Sequence, residues 1–199
     1  MRLNPVLDEL GDYPIATVHE RARALVDSGL RVIDFSVGDP TEPTPGFIRQ
    51  AMADAIPPVS QYPLTVGTAE LRRAIAEYLE RRFDVSVDPV TQVLPTSGSK
   101  EAIFSTAFAF IDPGTEDTVV YPTPGYPVYD RGARFAGARL HPVVLDGDFV
   151  MRAADVPDEE WERARMVWHC SPHNPSGAVA TREELAELVE RSRASGALF

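Results

Sequence analysis

Thr118-Val119-Val120-Tyr121-Pro122-Thr123-Pro124-Gly125-Tyr126-Pro127-Val128-Tyr129 is the stretch whose reading decides the fold. Its first four residues are β-branched or aromatic and read as a strand. Three prolines then stiffen a turn, and Tyr126 to Phe135 predicts a helix. Tyr126 therefore falls where the carboxyl end of a strand meets a helix. The same grammar recurs on either side. Glu101 to Ile111 is apolar enough for a buried helix and is stopped by Asp112-Pro113-Gly114. Arg139 to Leu145 and Met166 to Cys170 read as further strands. Arg182 to Ala194 reads as a helix, with Thr181 and Glu184 spaced as a capping box. Strands that alternate with helices predict an α/β fold with a mainly parallel sheet flanked by helices. Such sheets hold ligands at the carboxyl ends of their strands.

Upstream, a polar N-terminal arm leads to a helix from Ile15 to Ser28, closed by Gly29. Arg31 to Val37 reads as a strand that leaves through Gly38-Asp39-Pro40. Helices are expected over Gly46 to Ala55 and over Ala69 to Arg82, the second capped by Thr68. Gln92 to Thr96 reads as extended. At the other end, Gly196-Ala197-Leu198-Phe199 looks like a strand in its first residues. The sheet is thus expected to be incomplete, and the chain to be a truncated piece.

Bulk properties narrow the function. A chain of 199 residues with 44% hydrophobic content can bury a core. The net charge is -11 with no basic stripe, which argues against nucleic acid. No apolar run is long enough for a bilayer, and Met1-Arg2-Leu3-Asn4-Pro5 lacks a signal core, so no membrane and a cytoplasmic location are expected. Cys170 is the only cysteine, and Pro172 and Pro175 break any helix that could align His169 with His173, so no metal site is expected. Lys100 is the single lysine among 19 basic residues.

Four loops could carry chemistry. Ser97-Gly98-Ser99-Lys100 opens a helix, where free N–H groups and the helix dipole favour phosphate. It reads equally as a plain serine cap. Tyr126 could stack on a planar heterocycle or simply pack its Pro-rich loop. Asn174, between Pro172 and Pro175, could aim its amide at a phenolate or only form an Asx turn. Gly38 could offer its N–H to a carboxylate or merely end a strand. Tyr62, in Gln61-Tyr62-Pro63-Leu64-Thr65-Val66-Gly67, reads as a surface or interface residue.

Taken in order with Leu71-Arg72-Arg73-Ala74-Ile75 and Asn174-Pro175-Ser176-Gly177, these motifs resemble the class I/II, fold type I, pyridoxal-phosphate-dependent aminotransferases. The resemblance runs from Asn4 to Phe199. It implies an N-terminal arm and small-domain segment over residues 1–40. Residues 41–199 would then form the N-terminal part of the large, cofactor-binding domain. It also implies roles. Gly98, Ser99 and Lys100 would hold the phosphate of pyridoxal 5'-phosphate, Tyr126 would stack on its ring, and Asn174 would bond its phenolic oxygen. Tyr62 would reach the cofactor of a partner subunit in a homodimer, while Gly38 and Tyr13 would meet the substrate.

The run from Gly98 to Phe104, Asp112-Pro113-Gly114, and Tyr126 to Ala133 look like the succinyldiaminopimelate aminotransferases of lysine biosynthesis. N-succinyl-LL-2,6-diaminopimelate and 2-oxoglutarate would then be the amino acid and 2-oxo acid exchanged. The alternatives are an LL-diaminopimelate, aspartate or alanine aminotransferase, or a non-catalytic binding module of the same shape. In this family the Schiff-base lysine, the aspartate paired with the ring nitrogen and the clamping arginines lie downstream of the residues matched here. No catalytic residue is therefore expected within the chain, and the 199 residues alone are expected to be inactive. A generic nucleotide binder would need a G-x-G-x-x-G turn, which does not occur.

Overall fold

A computed structural model describes residues 2–10, 14–36, 38 and 40–199. The chain divides into two compact units, Met1–Pro95 and Thr96–Phe199.

The first unit is helical. It holds α1 (Val6–Leu10), α2 (Pro14–Asp27), α3 (Gly46–Asp54) and α4 (Ala69–Phe83). The Thr68 hydroxyl caps α4 by accepting the Leu71 N–H at 3.2 Å. Gly67 has φ +74, and a Cβ there would meet Pro95 Cγ at 2.8 Å, so only glycine fits this turn. None of the described residues in this unit is buried. Phe35 and Met52 are 91% and 74% exposed.

The second unit carries the core. Its elements are α5 (Ser99–Phe110), β1 (Thr118–Thr123), α6 (Val128–Ala136), β2 (Arg139–Val144), a 3-10 turn at Ala153–Asp155, α7 (Asp158–Arg163), β3 (Ala164–Val167) and α8 (Arg182–Ser195). The strands form a parallel sheet in the order β2-β1-β3. Side chains alternate along β1 because successive Cβ atoms point to opposite faces. Val119 joins Ala107, Ile111, Ala133, Ala136 and Met166 on one face. Val120 joins Val143, Met151, Trp161, Val167 and Leu188 on the other. Helices thus cover both faces, as parallel strands require. Beyond β3, Leu198 pairs in parallel with Met166, the Val167 N–H donating to Leu198 O at 2.8 Å. The α/β reading holds, with a small, open parallel sheet.

Some expectations need correction. The strands expected over residues 31–37 and 92–96 are absent from the described residues, which lie in no sheet there. The strand expected over Met166–Cys170 runs instead from Ala164 to Val167. Pro122 explains why the strand ends early. Trp168 N–H donates to Val120 O at 2.8 Å, and the next bond of the ladder would need an N–H at residue 122. β1 and β3 therefore part at that point. Helix α5 starts at Ser99 and α6 only at Val128. The short α1, α7 and the 3-10 turn carry too few residues to show a helical period in the sequence.

Candidate functional site

Past Pro122 the strands β1 and β3 part at the carboxyl end of the sheet. The loops Thr123–Pro127 and Trp168–Thr181 leave from these two strands. A third element reaches the same rim. Helix α5 ends beside the start of β1, where Asp112 N–H donates to Asp117 Oδ2 at 3.0 Å. Its 12 residues rise about 18 Å, while the six residues of β1 span about 20 Å. The α5 N-terminus thus lies level with the far end of β1. Helix α6 runs alongside it. A Cβ on Gly132 would meet Phe104 O at 2.7 Å, and one on Gly137 would meet Pro113 Cβ at 2.8 Å.

At that N-terminus, Gly98 has φ 90 and ψ 161, and no side chain caps the first turn. A Cβ at Gly98 would meet no atom within 4 Å, so the approach to the helix end is open. Ser99 and Lys100 are exposed, and the Ser97 N–H is held by Glu101 Oε2. Uncapped N–H donors, a hydroxyl and an ammonium beside a glycine suit a phosphate dianion. On this geometry the residues present fit a phosphorylated cofactor.

Tyr126 is half-buried, with its ring edge-on to Tyr129 at 5.8 Å. Tyr129 in turn stacks on Trp168. Burial pushes the Tyr129 hydroxyl up to about 12, with the neighbouring Cys170 thiol adding to the effect. Asn174 is exposed at the tip of its loop, and the Asn174–Pro175 bond is cis, as are Thr123–Pro124 and Ser171–Pro172.

The structure joins the loops of Tyr126 and Asn174 through the His173–Pro124 contact, and places Gly98, Ser99 and Lys100 at the start of α5 in the same unit. Tyr62 is fully exposed, two residues before the turn that the Gly67 N–H to Leu64 O bond closes in the first unit. Gly38 is exposed in that unit as well. Tyr13, and Val37 and Asp39 beside Gly38, lie outside the described residues.

Two histidines emerge that sequence reasoning weighed only as metal ligands. His173 is 5% exposed and hydrogen-bonds on both ring nitrogens. Neither ring nitrogen of His169 has a hydrogen-bond partner among the described residues, and burial holds its imidazole below the ordinary value. Phe199 stacks against it at 6.1 Å. The signal for His173 was its place between Pro172 and Asn174. Its contact lies 49 residues upstream, which spacing cannot reveal. Among the described residues no cluster of three or more His, Cys, Asp or Glu could hold a metal ion.

A family model described as aminotransferase class I and II matches residues 31–199. LL-diaminopimelate aminotransferase 2 of Nostoc sp. is 40% identical over 188 residues, 92% of this chain and 48% of its own. The LL-diaminopimelate aminotransferase of Aquifex aeolicus is 38% identical over the same shares. Among solved structures, an aminotransferase from Neisseria meningitidis superposes with a TM-score of 0.85 at 32% identity, over 98% of this chain and 51% of that one. N-succinyldiaminopimelate aminotransferase from Mycobacterium tuberculosis superposes with a TM-score of 0.82 at 33% identity, over 99% and 50%. The chain spans about half the length of the curated relatives it matches.

Proposed function

Because the chain belongs to the class I and II aminotransferases, a family of pyridoxal-phosphate enzymes, we propose that the whole protein transfers an amino group between a diaminopimelate-type amino acid and a 2-oxo acid. One observation carries the reading. The loops of Tyr126 and Asn174 are joined by the His173–Pro124 bond, and the uncapped N-terminus of α5 belongs to the same unit, which supports a shared cofactor site.

In this reading the α5 N–H groups, the Ser99 hydroxyl and the Lys100 ammonium bind the cofactor phosphate, and Gly98 leaves room for it. Tyr126 stacks on the ring and fixes its plane. The Asn174 amide donates to the phenolic oxygen and sets the ring's rotation. When bound, pyridoxal phosphate supplies an electron-withdrawing ring that stabilises charge at the substrate α-carbon. Gly38 N–H and Tyr13 belong to the substrate side. Tyr62, fully exposed, serves the partner's phosphate in a homodimer. The boundary between arm and large domain at residues 40–41 and a cytoplasmic location belong to the same proposal. No helix among the described residues is long and apolar enough to cross a membrane.

Lys100 stands at the phosphate end of the site, so the amine that moves the substrate α-proton is placed in the half of the relatives that this chain does not span. The 199 residues alone are accordingly proposed to bind but not to transaminate. Relatives at 38–40% identity are named for LL-diaminopimelate, which favours that donor. The N-succinyl form is the second reading, supported by 33% identity over 99% of the chain to a solved enzyme named for it. Full-length protein loaded with pyridoxal phosphate and given each donor with 2-oxoglutarate should form glutamate from one of them. Glutamate from neither, or no cofactor absorbance in the purified protein, would refute the proposal.

A further inference from the structure

We propose that His173 is a positioning residue that locks the loop carrying Tyr126 to the loop carrying Asn174, and so sets the cofactor's plane and rotation together. The inference rests on the cofactor reading above and adds a residue to which that reading gives no role.

The geometry is specific. His173 Nε2 lies 3.0 Å from the Pro124 carbonyl, two residues before Tyr126. A carbonyl only accepts, so Nε2 carries the proton and donates it. Nδ1, 2.8 Å from Ser176 Oγ, then accepts the serine proton. The Ser176 oxygen also accepts the Ala178 N–H at 3.2 Å. His173's backbone closes the turn from both sides. Its N–H donates to Ala178 O, and its carbonyl accepts from the Gly177 N–H, each at 2.7 Å. Asn174 follows directly, inside the turn that these backbone bonds close. Phe149 lies over the imidazole with centroids 6.4 Å apart and planes 13° from parallel. Phe149 has φ 59, a left-handed conformation costly for an aromatic residue, and is held there against the ring. Three loops, following β1, β2 and β3, therefore meet at one buried side chain.

The carboxyl ends of β1 and β3 share no ladder bonds past Val120 and Trp168. The His173–Pro124 bond spans that gap. A small displacement of a group that orients a reactant can cost about a hundredfold in rate, so slack here is felt in turnover without loss of any group that touches the cofactor.

The test compares full-length wild type with H173F and H173Q. Phenylalanine keeps the ring over Phe149 but cannot donate to Pro124 O. Glutamine can place an N–H near the lost Nε2–H. Three quantities are measured: pyridoxal 5'-phosphate affinity, the pH profile of the bound cofactor's visible absorbance, and kcat and KM with LL-diaminopimelate and 2-oxoglutarate. Thermal melting monitors the fold. H173F should shift the absorbance profile and lower kcat by roughly tenfold to a hundredfold, with H173Q recovering most of both. An unshifted profile in H173F, even with a lower melting temperature, makes His173 merely structural and overturns the inference. Wild type that binds no pyridoxal phosphate overturns the functional reading and this inference with it.

Discussion

Tyr129 lies flat against Trp168, ring centroids 5.4 Å apart and planes 14° from parallel, directly beneath the rim that carries Tyr126. Tyr129 is 5% exposed and supports Tyr126 through an edge contact. Replacing it by Ala should cost about 3–5 kcal/mol in urea unfolding, as for other buried aromatics. Tyr129→Phe keeps the stack and should stay within about 1.5 kcal/mol of wild type. Equal losses in the two variants would show that the hydroxyl, not the ring, is what matters.

The same residue sets an alkaline limit. Its hydroxyl is raised from the ordinary 10.0 to about 12. Between those values the unfolded chain releases the proton while the folded chain keeps it, so stability falls as pH rises through that window. Below pH 10 the contribution is fully present. Unfolding free energies collected on the alkaline side should decline, and Tyr129→Phe should flatten the decline. A slope identical in the two proteins would contradict the assignment.

Gly132 on α6 faces the backbone of α5. An added Cβ would meet Phe104 O at 2.7 Å and Phe104 Cα at 3.1 Å, and neither is a side-chain end that can turn aside. Gly132→Ala should therefore push the helices apart and destabilise by about 1–3 kcal/mol, despite alanine's better helix propensity. Chemical denaturation gives the sign directly. A stabilised variant would mean that the helices do not approach this closely.

The elements of residues 96–199 are legible because each carries its own local signal. Thr118–Tyr121 is β-branched and aromatic, Thr181 and Glu184 form the capping box seen in the structure, and Gly196 closes α8 in the left-handed region. The site residues are legible for a different reason. Tyr126 and Asn174 each follow a strand of the sheet, and α/β sheets gather such positions on one rim, whereas the run before Gly98 joins no sheet. What stayed illegible depends on partners distant in sequence. Arg31–Val37 has strand-like residues but its described part has no neighbouring strand, and β3 stops early because Pro122 on another strand lacks an N–H. His173 looked like a failed metal ligand because its bond to Pro124 cannot be read from spacing.

The capping box of α8 doubles as an acid-sensitive joint. Glu184 Oε2 accepts the Thr181 N–H at 2.8 Å, and Oε1 accepts from Arg152 Nε at 2.7 Å. The backbone bond to Thr181 is the chief cause that holds this carboxyl below its ordinary 4.5. A depressed carboxyl contributes stability that is present above 4.5 and lost as pH falls through the folded value. Glu184→Gln should therefore lose less stability than wild type on acidification. Thr181→Ala, which removes the hydroxyl cap on the Glu184 N–H, should cost about 1 kcal/mol at neutral pH. Acid titration of the circular dichroism signal distinguishes the two. Parallel curves for wild type and Glu184→Gln would place the acid sensitivity elsewhere.

Asn174 supplies the sharpest check on the cofactor geometry. Its amide is proposed to donate to an ionised phenolic oxygen, and hydrogen bonds to charged groups are worth about 1.5–3 kcal/mol. Asn174→Ala should therefore weaken pyridoxal phosphate binding by roughly tenfold to a hundredfold. Asn174→Asp should weaken it further, because a carboxylate facing the phenolate repels it. The backbone of the turn is secured by the residue before it, through His173 N–H to Ala178 O and Gly177 N–H to His173 O, so neither substitution removes a bond that closes the loop. Melting temperatures close to wild type are accordingly expected for both. The ordering Asn, Ala, Asp in affinity is specific to a donor aimed at an anion. If Asp binds as well as Asn, the amide is not a donor to the cofactor, and Asn174 reverts to the role of a turn residue between two cis prolines.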